Sequence, residues 1–243
     1  MNHRIKIVIT MGDPAGVGAE IVVKALSHID VYRKCVPIVV GDYAVLEDAL
    51  EFCDLPLRLH KIENTDEAMG KFGEIDFIDF GFFEKNGWEY KKNNAKCGEA
   101  SFKYIVYAIN LAMEKKVEAV ITAPINKKSL RMADIPYDGH TEIFAEYTGT
   151  KDFAMLLASK YLHVIHVSTH CSLKEACERV KKERVYKVIK LAERGMKELG
   201  YSNPKIVVAG LNPHSSEDGL FGDEEEKEII PAIEKAKEEG IQV

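Results

Sequence analysis

The segment IKIVITMGDPAGVGAEIVVKAL (residues 5–26) decides the predicted fold. Four of its first six residues are apolar and three of these are consecutive, which is typical of a strand buried inside a sheet. A turn with three glycines follows, and Ala19–Leu26 has the pattern of a helix. A buried strand that turns into a helix in this way indicates an α/β protein. The glycine spacing matches neither GxGxxG nor a Walker A loop, so both a ligand loop at a helix N-terminus and a plain turn remain open.

The same alternation of strand and helix patterns continues along the chain. Further strands are predicted at Val36–Val40, Leu57–Ile62, Ile75–Phe80, Val117–Thr122, Phe153–Ser159, His163–Ser168 and Lys205–Ala209. Further helices are predicted at Tyr43–Phe52, Ala100–Lys115, Leu173–Leu199 with a polar break near residues 181–184, and Glu224–Glu239, where Pro231 should kink the helix or mark a join. This order predicts an α/β protein with a mostly parallel sheet. The polar stretch 84–97 predicts a surface loop and is considered for a domain crossing, but the sequence places no internal boundary.

Composition excludes several classes of protein. The chain has 243 residues, of which 46% are hydrophobic and 30% charged, which is normal for a globular protein. Its net charge of −6 argues against a nucleic-acid-binding protein, which usually carries a basic excess. No apolar run reaches the length of a membrane span, and the first residues do not resemble a secretory signal. The five cysteines are scattered without a CxxC pair. We therefore expect a reduced, cytoplasmic protein that binds neither nucleic acid nor membrane.

Two polar pairs are candidates for binding a ligand. Asn126 and Lys127 follow the predicted strand Val117–Thr122, where ligands of parallel α/β sheets gather. The favoured alternative is a loop capped by the asparagine, with an exposed lysine beside it. His140 and Thr141 form a donor pair for a phosphate or carboxylate. The alternative for this pair is a structural histidine beside a threonine that caps the following helix.

Two histidines are candidates for binding a metal ion. His170 follows the predicted strand His163–Ser168, and His214 follows Lys205–Ala209. Imidazoles at neighbouring strand ends are able to meet at one divalent ion. Two ligands are too few for a closed site, so a third ligand must come from elsewhere.

Six segments occur in an order that spans nearly the whole chain. They are MGDPAGVGAEI (11–21), CGEAS (97–101), ITAPINKKSL (121–130), GHTEIFAEYTG (139–149), STHCSL (168–173) and GLNPHSSEDGLFGDEEEKEIIPAI (210–233). Together they resemble the 4-hydroxythreonine-4-phosphate dehydrogenase family of pyridoxal phosphate biosynthesis. The resemblance implies a fold like that of isocitrate and isopropylmalate dehydrogenases, with two α/β domains and a mostly parallel sheet. It also implies a homodimer whose active sites are shared between subunits.

The resemblance also implies roles for the candidate residues. His140 and Thr141 would bind the substrate, a small phosphorylated hydroxy acid. His170 and His214 would be two of the three ligands of a divalent metal such as Zn²⁺, Mg²⁺ or Co²⁺. Asn126 and Lys127 become residues that line the site, and no catalytic acid or base is assigned.

The implied reaction is the oxidation of 4-phosphohydroxy-L-threonine by NAD⁺ or NADP⁺, after which the β-keto acid loses CO₂. A metal would polarise the alcohol oxygen, and the nicotinamide would accept the hydride. D-Threonate or D-erythronate 4-phosphate is the alternative substrate, and the motifs do not separate the two; we favour the first. Acyl or phosphoryl transfer is a weaker hypothesis, because a histidine metal site has no part in that chemistry.

Family members continue past the point at which this chain ends. The resemblance therefore implies one incomplete two-domain α/β unit over residues 1–243, with the C-terminal portion missing. The third metal-binding histidine and groups that bind the phosphate and the dinucleotide are expected in that portion. Three explanations are a fragment of a longer protein, one half of a split enzyme, and a truncated paralogue that binds ligands without catalysis. We favour the fragment.

Overall fold

The computed structural model describes residues 4–243, which form two compact units. The first unit extends to Thr150, and the second begins at Lys151. The division therefore does not lie in the polar stretch 84–97, which is inside the first unit. The prediction of an incomplete two-domain α/β unit stays a prediction.

The first unit is built on a five-stranded parallel sheet. Its strands are β1 (Ile5–Thr10), β2 (Cys35–Gly41), β3 (Arg58–Lys61), β4 (Glu74–Asp79) and β5 (Ala119–Thr122). Their order across the sheet is β3-β4-β2-β1-β5, and every neighbouring pair is parallel. The predicted α/β class with a mostly parallel sheet is confirmed.

The burial of the central strands explains why their positions are visible in the sequence. All seven residues of β2 are buried, and Val8 of β1 is fully buried. Central strands of a parallel sheet are covered on both faces, so they need apolar residues at consecutive positions. The result is a continuous apolar pattern that is visible without any knowledge of tertiary structure.

Six helices complete the first unit. They are α1 (Gly18–Leu26), α2 (Ile29–Lys34), α3 (Tyr43–Phe52), α4 (Ala95–Met113), α5 (Lys127–Met132) and α6 (His140–Thr148). The longest, α4, has an Asn94 side chain that accepts the Lys96 N–H at its start, and it buries Tyr104, Ile105 and Ala108. This cap explains why α4 begins five residues before the predicted start at Ala100.

The second unit contains a small hairpin and three helices. The hairpin pairs β6 (Leu156–Ala158) with β7 (His163–Ile165) antiparallel, and the helices are α7 (Leu173–Arg179), α8 (Lys182–Glu198) and α9 (Ile230–Glu238). An apolar cluster that includes Val185, Ile189, Ala232 and Ala236 joins α8 to α9. The predicted break near residues 181–184 is confirmed between α7 and α8. Pro231 lies in the first turn of α9, directly after the π-helical turn Glu225–Ile229, which confirms the predicted join.

Two predicted strands of the second unit differ from the structure. Residues 205–209 do not form a strand, although Ile206 and Val208 pack on the apolar cluster while Val207 is 83% exposed. This alternation suits a strand, but in the described part of the chain these residues have no strand ladder, and Ile206 N donates only to Gln242 O (2.9 Å). The strand predicted over residues 163–168 ends at Ile165. In both segments the presence or absence of a neighbouring strand, and not the local apolar pattern, decides whether a strand forms.

Among residues 4–243, no helix is both long enough and apolar enough to cross a membrane. The five cysteines are free thiols.

Candidate functional site

The loops that follow β1 and β5 lie side by side in the first unit. β1 and β5 are parallel neighbours, whereas the chain leaves β1 for β2 on the opposite side. The strand order therefore reverses at β1, which is where open α/β sheets hold their ligands. The Asp13 N–H donates to Pro124 O (3.0 Å), and this bond joins the two loops.

Two glycines are required for this close approach. A Cβ on Gly12 would lie 2.4 Å from Pro124 O, and Gly12 also has a φ of +81°. A Cβ on Gly18 would lie 2.1 Å from Met11 O. The glycines of the GDPAGVG segment are thus explained by backbone packing alone, so they do not by themselves indicate a ligand loop.

Asp13 is a buried carboxyl group in the first of these loops. Its residue is only 3% exposed, and its Oδ1 accepts the Ala15 N–H (2.8 Å). Burial raises the pKa of Asp13, and hydrogen bonds from Ala15 and Ser129 only partly oppose this effect. The carboxylate form is therefore destabilised at this position.

A cavity of about 710 Å³ opens beside Asp13. The surface of its walls is mostly apolar and includes Val17, Phe52 and Ile125. Its polar lining consists of one amide, two lysines and three carboxyl groups: Asn126, Lys91, Lys92, Asp13, Glu20 and Asp48. An apolar cavity with a few polar groups is the usual form of a small-molecule site.

Asn126 and Lys127 stand at the start of α5. The Asn126 Oδ1 accepts the N–H groups of Lys128 (2.9 Å) and Ser129 (3.0 Å), so this side chain caps the helix. Lys127 is exposed and is not among the residues that line the cavity. The capping alternative for Asn126 is confirmed, and a ligand role for this pair stays a prediction.

His140 is the first residue of α6 and lies beside the loop after β5. The imidazole is partly buried, and its Nε2 is fully buried without a hydrogen-bond partner in residues 4–243. Burial lowers the pKa of His140; a hydrogen bond to the Ala123 backbone and the Glu142 carboxylate oppose this effect. His140 is therefore neutral near pH 7, with one ring nitrogen unsatisfied.

Thr141 does not cap α6, which corrects that expectation. The helix already begins at His140, and Gly139 is its N-cap residue without a side-chain hydrogen bond. The N-cap position is therefore Gly139, two residues before Thr141. Thr141 is half-buried in the first turn.

His170 lies on an exposed loop of the second unit. It follows β7 by five residues and has a φ of +54°. It lines a cavity of about 380 Å³ together with His166, Ser168 and Thr169. His166 is half-buried, and its Nδ1 is buried without a partner among the described residues.

His214 lies on a second exposed loop of the same unit. It begins a run of five consecutive left-handed residues, from His214 to Asp218, with φ between +47° and +68°. Each such non-glycine residue costs about 1–2 kcal/mol. The His214 and Phe221 rings lie 6.2 Å apart. Backbone strain of this kind persists only where the surroundings hold it, and it is concentrated at functional sites.

His170 and His214 are the two residues for which a metal-binding role is predicted. Both are exposed imidazoles, which suit Zn²⁺ and Co²⁺. His214 is not among the residues that line the cavity of His170. Within residues 4–243, no group of three or more His, Cys, Asp and Glu side chains is arranged to hold a metal. A complete metal site is thus not present among these residues, and the metal-binding roles of His170 and His214 stay predictions.

Replacing Asp13 with Asn is expected to stabilise the protein at pH 7. Folding raises the pKa of Asp13 above the unfolded value of 3.8. The free energy of unfolding of the wild type therefore decreases as the pH rises from that value through the folded pKa. Each unit of pKa difference corresponds to about 1.4 kcal/mol, and the asparagine oxygen is still able to accept the Ala15 N–H. We expect the Tm of Asp13→Asn to exceed that of the wild type by about 2–4 °C for each kcal/mol gained in the free energy of unfolding.

Thermal unfolding between pH 4 and 8 measures this effect, with Asp30→Asn at an exposed position as the control. The gain should shrink as the pH falls toward 3.8. A lower Tm for Asp13→Asn than for the wild type at pH 7 would contradict the prediction.

The chain is similar to known proteins over its whole length. A family profile described as "Pyridoxal phosphate biosynthetic protein PdxA" matches residues 33–243. A protein of Oceanobacillus iheyensis named "Putative D-threonate 4-phosphate dehydrogenase" is 45% identical over 245 residues, which cover 100% of this chain and 74% of that protein.

Two crystal structures of 4-hydroxythreonine-4-phosphate dehydrogenases also match. The protein from Klebsiella pneumoniae has a TM-score of 0.91 and 37% identity, over 100% of this chain and 74% of its own. The protein from Burkholderia phymatum has a TM-score of 0.86 and 40% identity, over 100% and 73%. The match thus covers the whole of the present chain and leaves about a quarter of each relative unmatched.

Proposed function

Because this chain belongs to the family of the pyridoxal phosphate biosynthetic protein PdxA, we propose that it oxidises the secondary alcohol of a phosphorylated four-carbon hydroxy acid. The reaction would use NAD⁺ or NADP⁺ and a divalent metal, and the β-keto acid formed would lose CO₂. The observation that supports this most strongly is the match over all of the chain to dehydrogenases whose structures are known. The three relatives described above are named as dehydrogenases of such acids.

D-Threonate 4-phosphate is the substrate we propose first. The sequence alone favoured 4-phosphohydroxy-L-threonine, which carries an amino group on C2 where D-threonate 4-phosphate has a hydroxyl. The relative named for D-threonate 4-phosphate is 45% identical, whereas the two structures named for 4-hydroxythreonine 4-phosphate are 37% and 40% identical. This difference reverses our order of preference.

His140 and Thr141 are proposed to bind this substrate. The buried Nε2 of the neutral His140 imidazole needs one hydrogen-bond partner, and a substrate hydroxyl, phosphate or carboxylate oxygen would provide it. Thr141 in the same helical turn offers a hydroxyl. The N-terminus of α6 adds a favourable field for a negative charge.

His170 and His214 are proposed to hold a divalent metal, with Zn²⁺, Mg²⁺ and Co²⁺ as candidates. When bound, the metal supplies Lewis acidity at the alcohol oxygen, and the nicotinamide supplies the hydride acceptor. The cavity beside Asp13 is proposed to receive an apolar ring of a ligand, since its walls are mostly apolar. A homodimer with a shared active site and a cytoplasmic location stay predictions.

The proposal is tested by following NADH or NADPH formation with the purified chain. Turnover of D-threonate 4-phosphate is expected once the chain is extended by the C-terminal portion that its relatives carry beyond the match, and it should be lost on chelation and restored by Zn²⁺, Mg²⁺ or Co²⁺. Unphosphorylated D-threonate is the matched control, and we expect its kcat/KM to be lower by at least about 10-fold, since a lost hydrogen bond to a charged group alone costs about 1.5–3 kcal/mol.

Different outcomes separate the alternatives. Faster turnover with 4-phosphohydroxy-L-threonine would restore the first substrate preference. Binding of either phosphorylated acid without reduction of the nucleotide would favour the non-catalytic alternative. Turnover that resists chelation would rule out a metal-dependent reaction.

A further inference from the structure

The loop that carries His214 wraps around one buried carboxylate. Glu225 opens the π-helical turn before α9 and is only 4% exposed. Its Oε1 accepts the N–H groups of Leu211 and Asn212, both at 2.7 Å. Its Oε2 accepts the Asn212 Nδ2–H at 2.8 Å.

A neighbouring carboxylate and two glycines complete this arrangement. Glu224 Oε2 accepts a second bond from Asn212 Nδ2 (2.7 Å). A Cβ on Gly210 would lie 3.3 Å from Glu225 Oε1, and a Cβ on Gly222 would lie 2.6 Å from Asn212 Nδ2. The loop backbone therefore fits closely against the two carboxylates, at a place where larger residues would clash.

These bonds determine where the left-handed turn begins. Asn212 is two residues before His214, and Ser215 N donates to Asn212 O (3.2 Å). The run from His214 to Asp218 has a conformation that the chain would not hold by itself. A carboxylate that accepts three N–H bonds is a strong tether, because hydrogen bonds to a charged acceptor are stronger than neutral ones. The same N–H donors lower the pKa of Glu225, which favours its ionised form.

We propose that Glu225 is a positioning residue: it holds residues 210–214 so that the His214 imidazole stands ready to bind the divalent metal. This inference rests on the proposed function, which assigns His214 as a metal ligand. Glu225 forms its hydrogen bonds with Leu211 and Asn212 and not with His214, so it acts on His214 through these two residues.

Glu228 provides a matched control in the same π-helical turn. Its carboxylate accepts the Lys182 N–H (2.7 Å) and pairs with Lys181 (3.0 Å), so it tethers the start of α8 and not the histidine loop. A Glu228→Gln variant removes a carboxylate of similar structural importance. We expect this variant to lower the stability of the protein without changing its affinity for Zn²⁺.

The experiment measures Zn²⁺ affinity by calorimetry for the wild type, Glu225→Gln, Glu228→Gln and His214→Ala. All are measured at a temperature where circular dichroism shows them folded. Loss of groups that orient metal ligands typically weakens metal binding about 10–100-fold. We expect that loss for Glu225→Gln, a loss at least as large for His214→Ala, and less than about a threefold change for Glu228→Gln.

Hydrogen–deuterium exchange of the peptide that contains residues 210–214 is the second measurement. Glu225→Gln should speed its exchange, and Glu228→Gln should not. If Glu225→Gln retains wild-type Zn²⁺ affinity while His214→Ala loses it, the positioning role is wrong and the metal assignment stands. If His214→Ala binds Zn²⁺ as the wild type does, the metal assignment itself is wrong, and Glu225 is left with loop anchoring alone.

Discussion

Gly98→Ala is expected to destabilise the first unit by about 3 kcal/mol or more, the upper end of the range for an overpacked interior. Gly98 lies in the first turns of α4, where it touches the start of α5. A Cβ at this position would lie 2.1 Å from Ser129 O, 2.3 Å from Ser129 C and 2.8 Å from Leu130 N. All three atoms belong to the backbone, so no side-chain rotation relieves the clash.

The local structure also prevents α5 from moving away. Asn126 caps α5 through its bonds to Lys128 and Ser129, and Leu130 is fully buried. A shift of α5 would disturb both the cap and the loop after β5 that lies beside His140. We therefore expect the Tm of Gly98→Ala to fall by about 6–12 °C, from about 2–4 °C for each kcal/mol.

Gly195→Ala is the matched control for this prediction. Gly195 lies inside α8, and a Cβ there would meet nothing within 4 Å. Alanine in an open helical position is expected to stabilise the protein by about 0.5–1 kcal/mol. Urea and thermal unfolding measure both variants, and a wild-type Tm for Gly98→Ala would mean that α4 and α5 do not pack as closely as described.

His140→Ala is expected to weaken binding of the phosphorylated substrate about 10–150-fold. The buried Nε2 of His140 has no partner within the described residues, so a ligand oxygen would satisfy it. A hydrogen bond to a charged group contributes about 1.5–3 kcal/mol, which corresponds to that range of affinity. The lowered pKa of His140 keeps the ring neutral, so this estimate involves a hydrogen bond and no ion pair.

Calorimetry with D-threonate 4-phosphate measures this effect independently of turnover. His28→Ala is the control, because His28 is an exposed histidine of the same unit whose side chain makes no capping bond. Unchanged affinity in His140→Ala, with normal binding in the wild type, would show that His140 only packs against the loop after β5.

Local patterns predicted the regular parts of the structure well. The bounds of β1 and α3 agree with the predicted Ile5–Thr10 and Tyr43–Phe52. In these segments the apolar residues that define the pattern are the residues that become buried, so sequence and structure carry the same information. Asn126 was likewise recognised as a capping residue, although the helix that it caps, α5, was not predicted.

Predictions that depended on distant partners were less successful. Lys205–Ala209 has the composition of a strand, but a strand exists only where another strand pairs with it. Thr141 resembled an N-cap residue, yet α6 begins one residue earlier at His140. Asp13 and Glu225 received no individual role, because their burial arises from contacts that their own positions in the sequence do not reveal.

The sequence by itself determined the α/β class, the positions of the strands of the parallel sheet and the family, since these depend on local periodicity and on motifs that are read residue by residue. It also named His140, Thr141, His170 and His214 as candidates through the resemblance. Only the tertiary structure decided that the His140 Nε2 is buried without a partner, that the loops after β1 and β5 meet, and that Glu225 tethers the loop of His214. The physical reason is that burial, pKa and hydrogen-bond satisfaction depend on which atoms surround a group, and folding brings those atoms together from distant positions in the chain.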